Sequence, residues 1–246
     1  TLATAKWVKE NFTQPSIVIG HDCRFAGKLF METAVKVFIH EGIAVKMAPA
    51  FVSTPMVSLG TKQTGASLGV VLTASHNPPE YNGYKVYWND GGQIVPPQDG
   101  EIIDAINAVD YTNINFEANN SLIELIDKGV DEAFINASVT NGSFEGTDRK
   151  NLSIVFTSLH GTSITILPET LKRAGYTNVN IVEEQKDPNG DFPTVERANP
   201  EEKARIAFNG LIRKYNSLKD NKDFASNEKQ IQQSLREPFV KLVLGC

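Results

Sequence analysis

The chain has 246 residues, of which 41% are hydrophobic and 22% are charged. These fractions are ordinary for a folded protein and exclude a chain that is disordered throughout. The 24 basic and 29 acidic residues leave a formal net charge of −5, so the chain has no broad attraction for nucleic acid or for an anionic membrane. No apolar run reaches the roughly 20 residues that a membrane-spanning helix needs.

Cysteine content and the N-terminal residues bear on the cellular setting. The two cysteines, Cys23 and Cys246, form no Cys-x-x-Cys pair, which excludes a disulfide scaffold and a cysteine zinc site. A reduced, cytoplasmic setting is favoured, because residues 1–12 also lack the apolar core of a signal peptide. Since the sequence begins with Thr1 rather than Met, we expect a fragment or a trimmed chain.

Alternating strand and helix patterns in the first half predict an α/β fold with a helix-covered, mostly parallel sheet. A turn sequence, Asn-Asp-Gly-Gly at 89–92, predicts a hairpin between strands at 84–88 and 93–95, so the sheet should be mixed. Further helices are expected at 101–109 and 122–138. The earlier strands are predicted at 16–20, 43–47 and 69–73, and the earlier helices at 28–41, where Gly42 ends the helix, and from Thr54 onward.

A second strand–helix–strand run predicts a second α/β unit. Its strands are expected at 152–156 and 179–182, with a helix around 166–174 between them. A polar stretch at 140–150, TNGSFEGTDRK, is the predicted linker. The resulting division is a first domain at 1–145, a partial second domain at 151–218, with a helix at 201–218, and an unassigned tail at 219–246.

The most unusual segment is TASHNPPEYNGYK at 73–85, which leaves a predicted buried strand. Open α/β sheets bind ligands at loops of this kind, and two prolines stiffen it. The residues alone leave two interpretations equally open. Either the stiff loop holds Ser75 in position for a bound ligand, or the loop is an ordinary turn in which the serine has no special role. A serine hydrolase is disfavoured, because neighbouring side chains in an extended loop diverge and no Gly-x-Ser-x-Gly elbow is present. Cationic neighbours better suit phosphoryl transfer.

Three other segments accompany this loop: GHDCR at 20–24, FTSLHGT at 156–162, and DPNGDFPTV at 187–195 with NPE at 199–201. Together the four segments resemble, in order, motifs of the α-D-phosphohexomutases, the phosphoglucomutase/phosphomannomutase family. They are similar to its phosphoserine loop, its Gly-x-Asp-x-Arg motif, the opening of its second domain and the loop ahead of its metal-binding segment. The resemblance covers about residues 1–203 and looks closest to the branch that includes the large two-substrate phosphoglucomutases.

The resemblance implies a reaction and a set of site residues. Ser75 would carry the phosphate and hand it to a hexose phosphate, giving a bound 1,6-bisphosphate whose other phosphate returns to the serine. His76 would contact substrate near the reacting oxygen, and Lys85 would be the general base. Arg24 and Asn77 would contact substrate. A Mg²⁺ ion would bridge the phosphoserine, and a glucose 1,6-bisphosphate-type activator would be needed.

The sequence also departs from the family pattern. The Asp-x-Asp-x-Asp-Arg metal loop is absent, since Asp220 and Asp223 lack its spacing; a phosphorylated Ser75 would then be the single metal ligand. No resemblance is seen from Lys219 on, and the third and fourth domains and an arginine-bearing segment before Thr1 are missing. We therefore expect an N-terminal portion that does not turn over alone.

Several nearby residues have structural explanations. Asp22 and Arg24 are at least as well explained by a pairing that supports their loop as by substrate contact. Cys23 is expected to be a small buried filler, and Asn82 is expected, with Asn77, to bond loop backbone. The remaining histidines are expected to be mostly structural, with His21 and His40 on the surface and His160 in a loop before a helix.

Three functional hypotheses follow. The first is a phosphohexomutase seen as its N-terminal part, and the second is a non-catalytic sugar-phosphate-binding remnant that lacks the metal loop. A weaker third is an α/β phosphate-binding module whose Ser75 is never phosphorylated. The substrate class is a hexose phosphate, with no nucleic acid or membrane partner. The sequence leaves open glucose, mannose or pentose phosphate and the oligomeric state.

Overall fold

The computed structural model describes residues 1–117, 119–126, 128–142, 148–195 and 199. The chain divides into two compact units, one of residues 1–75 and 79–196 and the other of residues 76–78 and 197–246. All helices and strands described below belong to the larger unit. Among the described residues, no helix has both the length and the apolar character that crossing a bilayer requires.

A five-stranded sheet forms the first part of the larger unit. Its strands lie in the order β4-β3-β1-β2-β5. Neighbouring strands are parallel except β4, which runs antiparallel to β3. The fold is therefore α/β with a mixed, mostly parallel sheet, as predicted. The strands are β1 (Ser16–His21), β2 (Ala44–Met47), β3 (Leu68–Leu72), β4 (Tyr84–Tyr87) and β5 (Ile123–Leu125).

Helices cover both faces of this sheet. Ile17 and Ile19 of β1 pack in the main core with residues of α1, α2 and α4, whereas Val18 packs on the opposite face with Val57 of α3. Successive side chains of a strand point to opposite faces, so a central strand covered on both sides is apolar throughout. The helices are α1 (Leu2–Asn11), α2 (Gly27–His40), α3 (Thr54–Thr64), α4 (Gln98–Asn107) and α5 (Lys128–Thr140).

A two-stranded parallel sheet, β6 (Ser153–Phe156) with β7 (Asn178–Ile181), forms the second part. Helix α6 (Leu167–Arg173) connects its strands. A third apolar cluster joins α3, α5 and the residue that precedes α6. On the surface, Arg173 of α6 forms an ion pair with Glu132 of α5. The second part thus packs on the first through α5.

Some elements differ from the sequence-based expectations. Helix α1 was not predicted. The helix expected over 122–138 is instead the short strand β5 followed by α5, because the backbone of 123–125 pairs with β2. The expected hairpin partner at 93–95 forms a single bridge, Tyr87 with Gln93. The helix expected at 201–218 and the tail at 219–246 lie outside the described residues.

Candidate functional site

Ser75 lies in the loop that leaves the carboxyl end of β3. Its side chain is exposed, and its φ of +56° places its backbone in the left-handed region, which non-glycine residues seldom adopt. The end of β1 lies alongside, since Asp22 N donates to Leu72 O at 3.1 Å. The loop therefore starts at the carboxyl ends of the parallel strands, where open α/β sheets bind their ligands.

Side-chain hydrogen bonds fix the first residues of the Ser75 loop. Thr73 Oγ1 accepts a hydrogen bond from Ser75 N at 2.9 Å, and it donates its own hydrogen to Asp22 Oδ2. The other carboxylate oxygen of Asp22 accepts from Arg24 N at 2.9 Å. A carboxylate that accepts from both loops ties the turn after β1 to the turn after β3.

Arg24 spans the loop of Ser75. It is only 3% exposed, and its Nη2 and Nη1 donate at 2.9 Å to the carbonyl oxygens of Ser75 and Tyr81. Its Nε lies 3.5 Å from Asp22 Oδ2, and its guanidinium carbon lies 5.2 Å from the centre of the Phe192 ring. These contacts show a supporting role for Arg24, while its predicted contact with substrate stays a prediction.

The loop returns to the sheet through Asn82 and Gly83. Asn82 Nδ2 donates to Phe25 O at 3.1 Å, and its Oδ1 accepts from Gly83 N at 2.8 Å, which confirms that this asparagine bonds loop backbone. Gly83 O accepts from Thr73 N at 3.0 Å. A Cβ on Gly83 would lie 2.6 Å from Thr73 O, so only glycine fits this crossing.

Lys85 lies on β4, directly opposite Val71 of β3. It is half-buried, and strand alternation places its side chain on the sheet face of Tyr87 rather than the face of Tyr84. Burial raises the pKa of Tyr84 to about 12, so this phenol is neutral at physiological pH. The role of Lys85 as general base stays a prediction.

His76 and Asn77 follow Ser75 directly, and both are exposed. They fall in the smaller compact unit with residues 197–246. Their roles as substrate contacts stay predictions.

The loops after β6 and β7 approach the turn after β1. His160 is only 4% exposed; its Nδ1 donates to Asp187 O at 3.2 Å and its Nε2 bonds Thr194 Oγ1 at 2.9 Å. With both ring nitrogens engaged, His160 is explained as a structural residue. Its carbonyl accepts from Cys23 Sγ at 3.2 Å.

Two expectations for residues near the site are corrected. His21 was expected on the surface but is 4% exposed, because its Nδ1 donates to Asp22 O at 2.7 Å and its ring packs edge-on against Phe51. Cys23 is half-buried rather than buried, and burial, followed by the nearby Asp22 carboxylate, raises the pKa of its thiol. His40 is exposed, as expected.

A metal ion was implied by the resemblance, with phosphorylated Ser75 as ligand. Within the described ranges, no group of three or more His, Cys, Asp or Glu side chains could hold a metal ion. The described residues therefore do not form a metal site by themselves, and we derive no step through a metal.

Sequence reasoning missed Phe192 and the hydroxyl of Thr73. A threonine directly after a buried strand is a local signal for a polar contact at the strand end. Phe192 lies in the DPNGDFPTV segment, but no local pattern reveals its contact with Arg24, because that contact arises from folding of distant segments.

Comparison with known proteins identifies the family. The model of phosphoglucomutase/phosphomannomutase alpha/beta/alpha domain I matches residues 1–113, and that of domain II matches residues 132–221. The chain belongs to the phosphoglucomutase/phosphomannomutase family, the α-D-phosphohexomutases, and corresponds to its N-terminal portion.

Individual relatives agree with this assignment. A phosphoglucomutase of Staphylococcus haemolyticus is 35% identical over 89% of the chain and 40% of the relative. A Haemophilus influenzae protein that carries a phosphomannomutase name is also 35% identical, over 82% of the chain and 42% of the relative. The chain thus spans about two fifths of the curated relatives it matches.

Solved structures support the fold. A Thermus thermophilus structure that carries a phosphomannomutase name has a TM-score of 0.65 at 24% identity, covering 78% of this chain and 42% of that one. At this identity the likeness concerns the fold alone.

Proposed function

We propose that the protein acts as a phosphohexomutase, which moves phosphate between the 1- and 6-positions of a hexose phosphate through a phosphoserine at Ser75. The observation that carries this proposal is an exposed Ser75, held at a φ of +56° by hydrogen bonds on its own N–H and C=O. A fixed backbone sets the direction of the Cα–Cβ bond and so limits where the hydroxyl of a covalent phosphate carrier can lie.

The proposed reaction has two transfers. In the first, a sugar hydroxyl attacks the phosphorus on Ser75, the bond from phosphorus to Oγ breaks, and a sugar 1,6-bisphosphate forms. In the second, Ser75 Oγ attacks the phosphorus of the other phosphate, the bond from that phosphorus to the sugar oxygen breaks, and the isomeric hexose monophosphate leaves. A hexose 1,6-bisphosphate supplied from outside loads an empty Ser75 in the same way.

Lys85 is proposed as the base that takes the proton of the attacking sugar hydroxyl. An amine accepts a proton only in its neutral form. Lys85 is half-buried on the strand that directly follows the Ser75 loop. His76, next to Ser75, and Asn77 are proposed to contact the substrate, where imidazole and amide donors can bond phosphate oxygens.

Magnesium is part of the proposal for the complete enzyme. A bound Mg²⁺ would neutralise charge on the transferring phosphoryl group, and a phosphate oxygen on Ser75 would supply one ligand. Magnesium prefers near-octahedral oxygen ligands, so the complete site would need further oxygen ligands beside that phosphate. A cytoplasmic location is likewise proposed, from the low cysteine content of the sequence and the metabolic enzyme names of the relatives.

Turnover of glucose 1-phosphate and mannose 1-phosphate, with hexose 1,6-bisphosphate and Mg²⁺, tests the function. In the full-length protein that contains this chain, Ser75→Ala should lower turnover by orders of magnitude, because the covalent route is lost. Lys85→Met should lower turnover while phosphate stays on Ser75. Ser121→Ala, which removes another exposed hydroxyl, is the control and should leave turnover unchanged. Near wild-type turnover of Ser75→Ala would refute the proposal.

A further inference from the structure

We propose that Arg24 and Phe192 are positioning residues for Ser75. Arg24 fixes the backbone of the Ser75 loop, and Phe192, in the loop after β7, fixes Arg24. The benefit to phosphoryl transfer rests on the proposed function, whereas the mechanical link between the three residues does not.

The first link joins Arg24 to the loop. Its two Nη atoms bond the carbonyl oxygens of Ser75 and Tyr81, both at 2.9 Å, so one planar group bridges the two ends of residues 75–81. A buried guanidinium with a fixed fork of donors holds two acceptors in one geometry. Ser75 needs such support, because its left-handed backbone is disfavoured for a residue with a Cβ.

The second link joins Phe192 to Arg24. The ring of Phe192 lies under the guanidinium, 5.2 Å from ring centre to Arg24 Cζ, and is only 8% exposed. A cation over an aromatic face, away from water, is attracted by the ring and is restricted in position. The Arg24 side chain is thus held between the Ser75 loop and an aromatic ring from a distant segment.

Backbone contacts keep Phe192 in place. A Cβ on Gly190 would lie 2.7 Å from Cys23 O and 2.8 Å from Arg24 Cα, so the chain before Phe192 lies directly on the turn after β1. Phe192 N donates to Asn189 O at 3.2 Å, and Asn189 N donates to His160 O at 2.9 Å. The His160 carbonyl also accepts from Cys23 Sγ. The loop that carries Phe192 is therefore fastened to the loop that carries Arg24.

Loss of the ring should loosen Ser75 at a distance. Without Phe192, the guanidinium has more freedom, its bonds to the two loop carbonyls weaken, and other backbone conformations of Ser75 compete. If Ser75 transfers phosphate, kcat should fall about tenfold, which corresponds to ~1.4 kcal/mol in the barrier. KM should change much less, because Phe192 acts through Arg24 and not on the sugar.

Hydrogen exchange measured by mass spectrometry tests the mechanical link on the protein that carries this sequence. Phe192→Leu should speed exchange in peptides that contain the amides of Ser75 and Gly83, whereas Phe192→Tyr, which keeps the ring, should restore slow exchange. Phe156→Leu is the matched control, since Phe156, the last residue of β6, is also 8% exposed. This variant should leave the exchange rates of those amides unchanged. Equal exchange in Phe192→Leu and wild type, or equal acceleration by Phe156→Leu, would overturn the inference.

Arg24 variants give the second arm. Arg24→Lys keeps the charge but loses the two-pronged contact, so it should speed loop exchange and lower kcat like Phe192→Leu. Slow hydrogen exchange of the Ser75-loop amides in Arg24→Lys would overturn the proposal that Arg24 holds this loop. Full-length wild-type protein that neither carries phosphate nor turns over would instead refute the proposed function, and the exchange data would still decide whether Arg24 and Phe192 hold the loop.

Discussion

Asp22 connects the two loops of the candidate site at the level of single bonds. Its carboxylate accepts from the backbone of Arg24 and from the Thr73 hydroxyl, which in turn accepts from Ser75 N. The position of Ser75 therefore depends on a carboxylate in another loop. An amide in place of Asp22 keeps the shape but has only one acceptor oxygen.

We predict that Asp22→Asn lowers the free energy of unfolding by about 1–3 kcal/mol, the cost of leaving a buried polar group without its partner. Denaturant unfolding at neutral pH measures the change. Asp90→Asn is the control, because exposed Asp90 accepts from Gly92 N, two residues on, at 2.7 Å, and an asparagine can accept the same bond. Equal loss in both variants would contradict the role given to Asp22.

Cys23 provides a test by pH. Only the thiolate reacts with disulfide reagents, and burial raises the pKa of this thiol. In a Cys246→Ser background, the reaction of Cys23 with an aromatic disulfide should be slower than that of glutathione at pH 8. The pH at which the reaction of Cys23 accelerates should be higher than the corresponding pH for glutathione. A reaction as fast as that of glutathione at pH 8 would contradict the half-buried position of Cys23.

Residues of the site differed in how far the sequence could reveal them. Ser75 and Lys85 belong to one continuous motif, so the sequence identified both as candidates. The support from Phe192 was not foreseen, because the contact depends on the packing of loops that follow different sheets. His21 was expected on the surface because neither its hydrogen bond to Asp22 O nor its packing against Phe51 has a sequence pattern.

At the scale of elements, helix α3 lies close against β3. A Cβ on Gly69 would lie 2.2 Å from Thr61 Oγ1 and 3.3 Å from a side-chain carbon of Val57. Thr61 is buried and donates to Val57 O at 2.7 Å, so it has little freedom to move. The glycine therefore sets the distance between the helix and the strand that leads to Ser75.

We predict that Gly69→Ala lowers the free energy of unfolding by about 1–3 kcal/mol through overpacking. Gly100→Ala is the control: nothing lies within 4 Å of its added Cβ, and alanine in α4 should raise stability by roughly 0.5–1 kcal/mol. Thermal and denaturant unfolding measure both. An unchanged Gly69→Ala protein would show that α3 and β3 pack less closely than the structure indicates.

Elements with strong apolar patterns were predictable, and those defined by their partners were not. Strands β1 and β3 are buried over nearly all their residues, and each contains a run of three apolar residues that marks a buried strand in the sequence. Strand β5 has three residues that are half-buried or exposed, and it exists because its backbone completes the edge beside β2. The sequence around it looked helical, since α5 begins only three residues later.

For the whole molecule, the polar stretch at 140–151 separates the sequence of the first sheet from that of the second. We predict that limited proteolysis cuts first within 140–151 or beyond residue 218, because buried strands and packed helices resist proteases. Fragment masses locate the cuts. Early cleavage within 65–90 would contradict this organisation, since that range includes β3, β4 and the Ser75 loop.

Relatives of equal identity to this chain carry names for two different sugars. Two that are each 35% identical carry a phosphoglucomutase and a phosphomannomutase name, and the chain spans about two fifths of either. The described part of the chain supports one feature of the proposed reaction, the residue that would carry the phosphate. This residue is an exposed serine with a fixed backbone at the carboxyl end of β3.

The most direct measurement is therefore the phosphorylation state of Ser75. The protein that carries this sequence is incubated with hexose 1,6-bisphosphate and Mg²⁺, and its intact mass and phosphopeptides are determined. The account predicts one added phosphate, mapped to Ser75, lost in Ser75→Ala and kept in Ser121→Ala. Phosphate that persists in Ser75→Ala, or wild-type protein that takes up none, would contradict it.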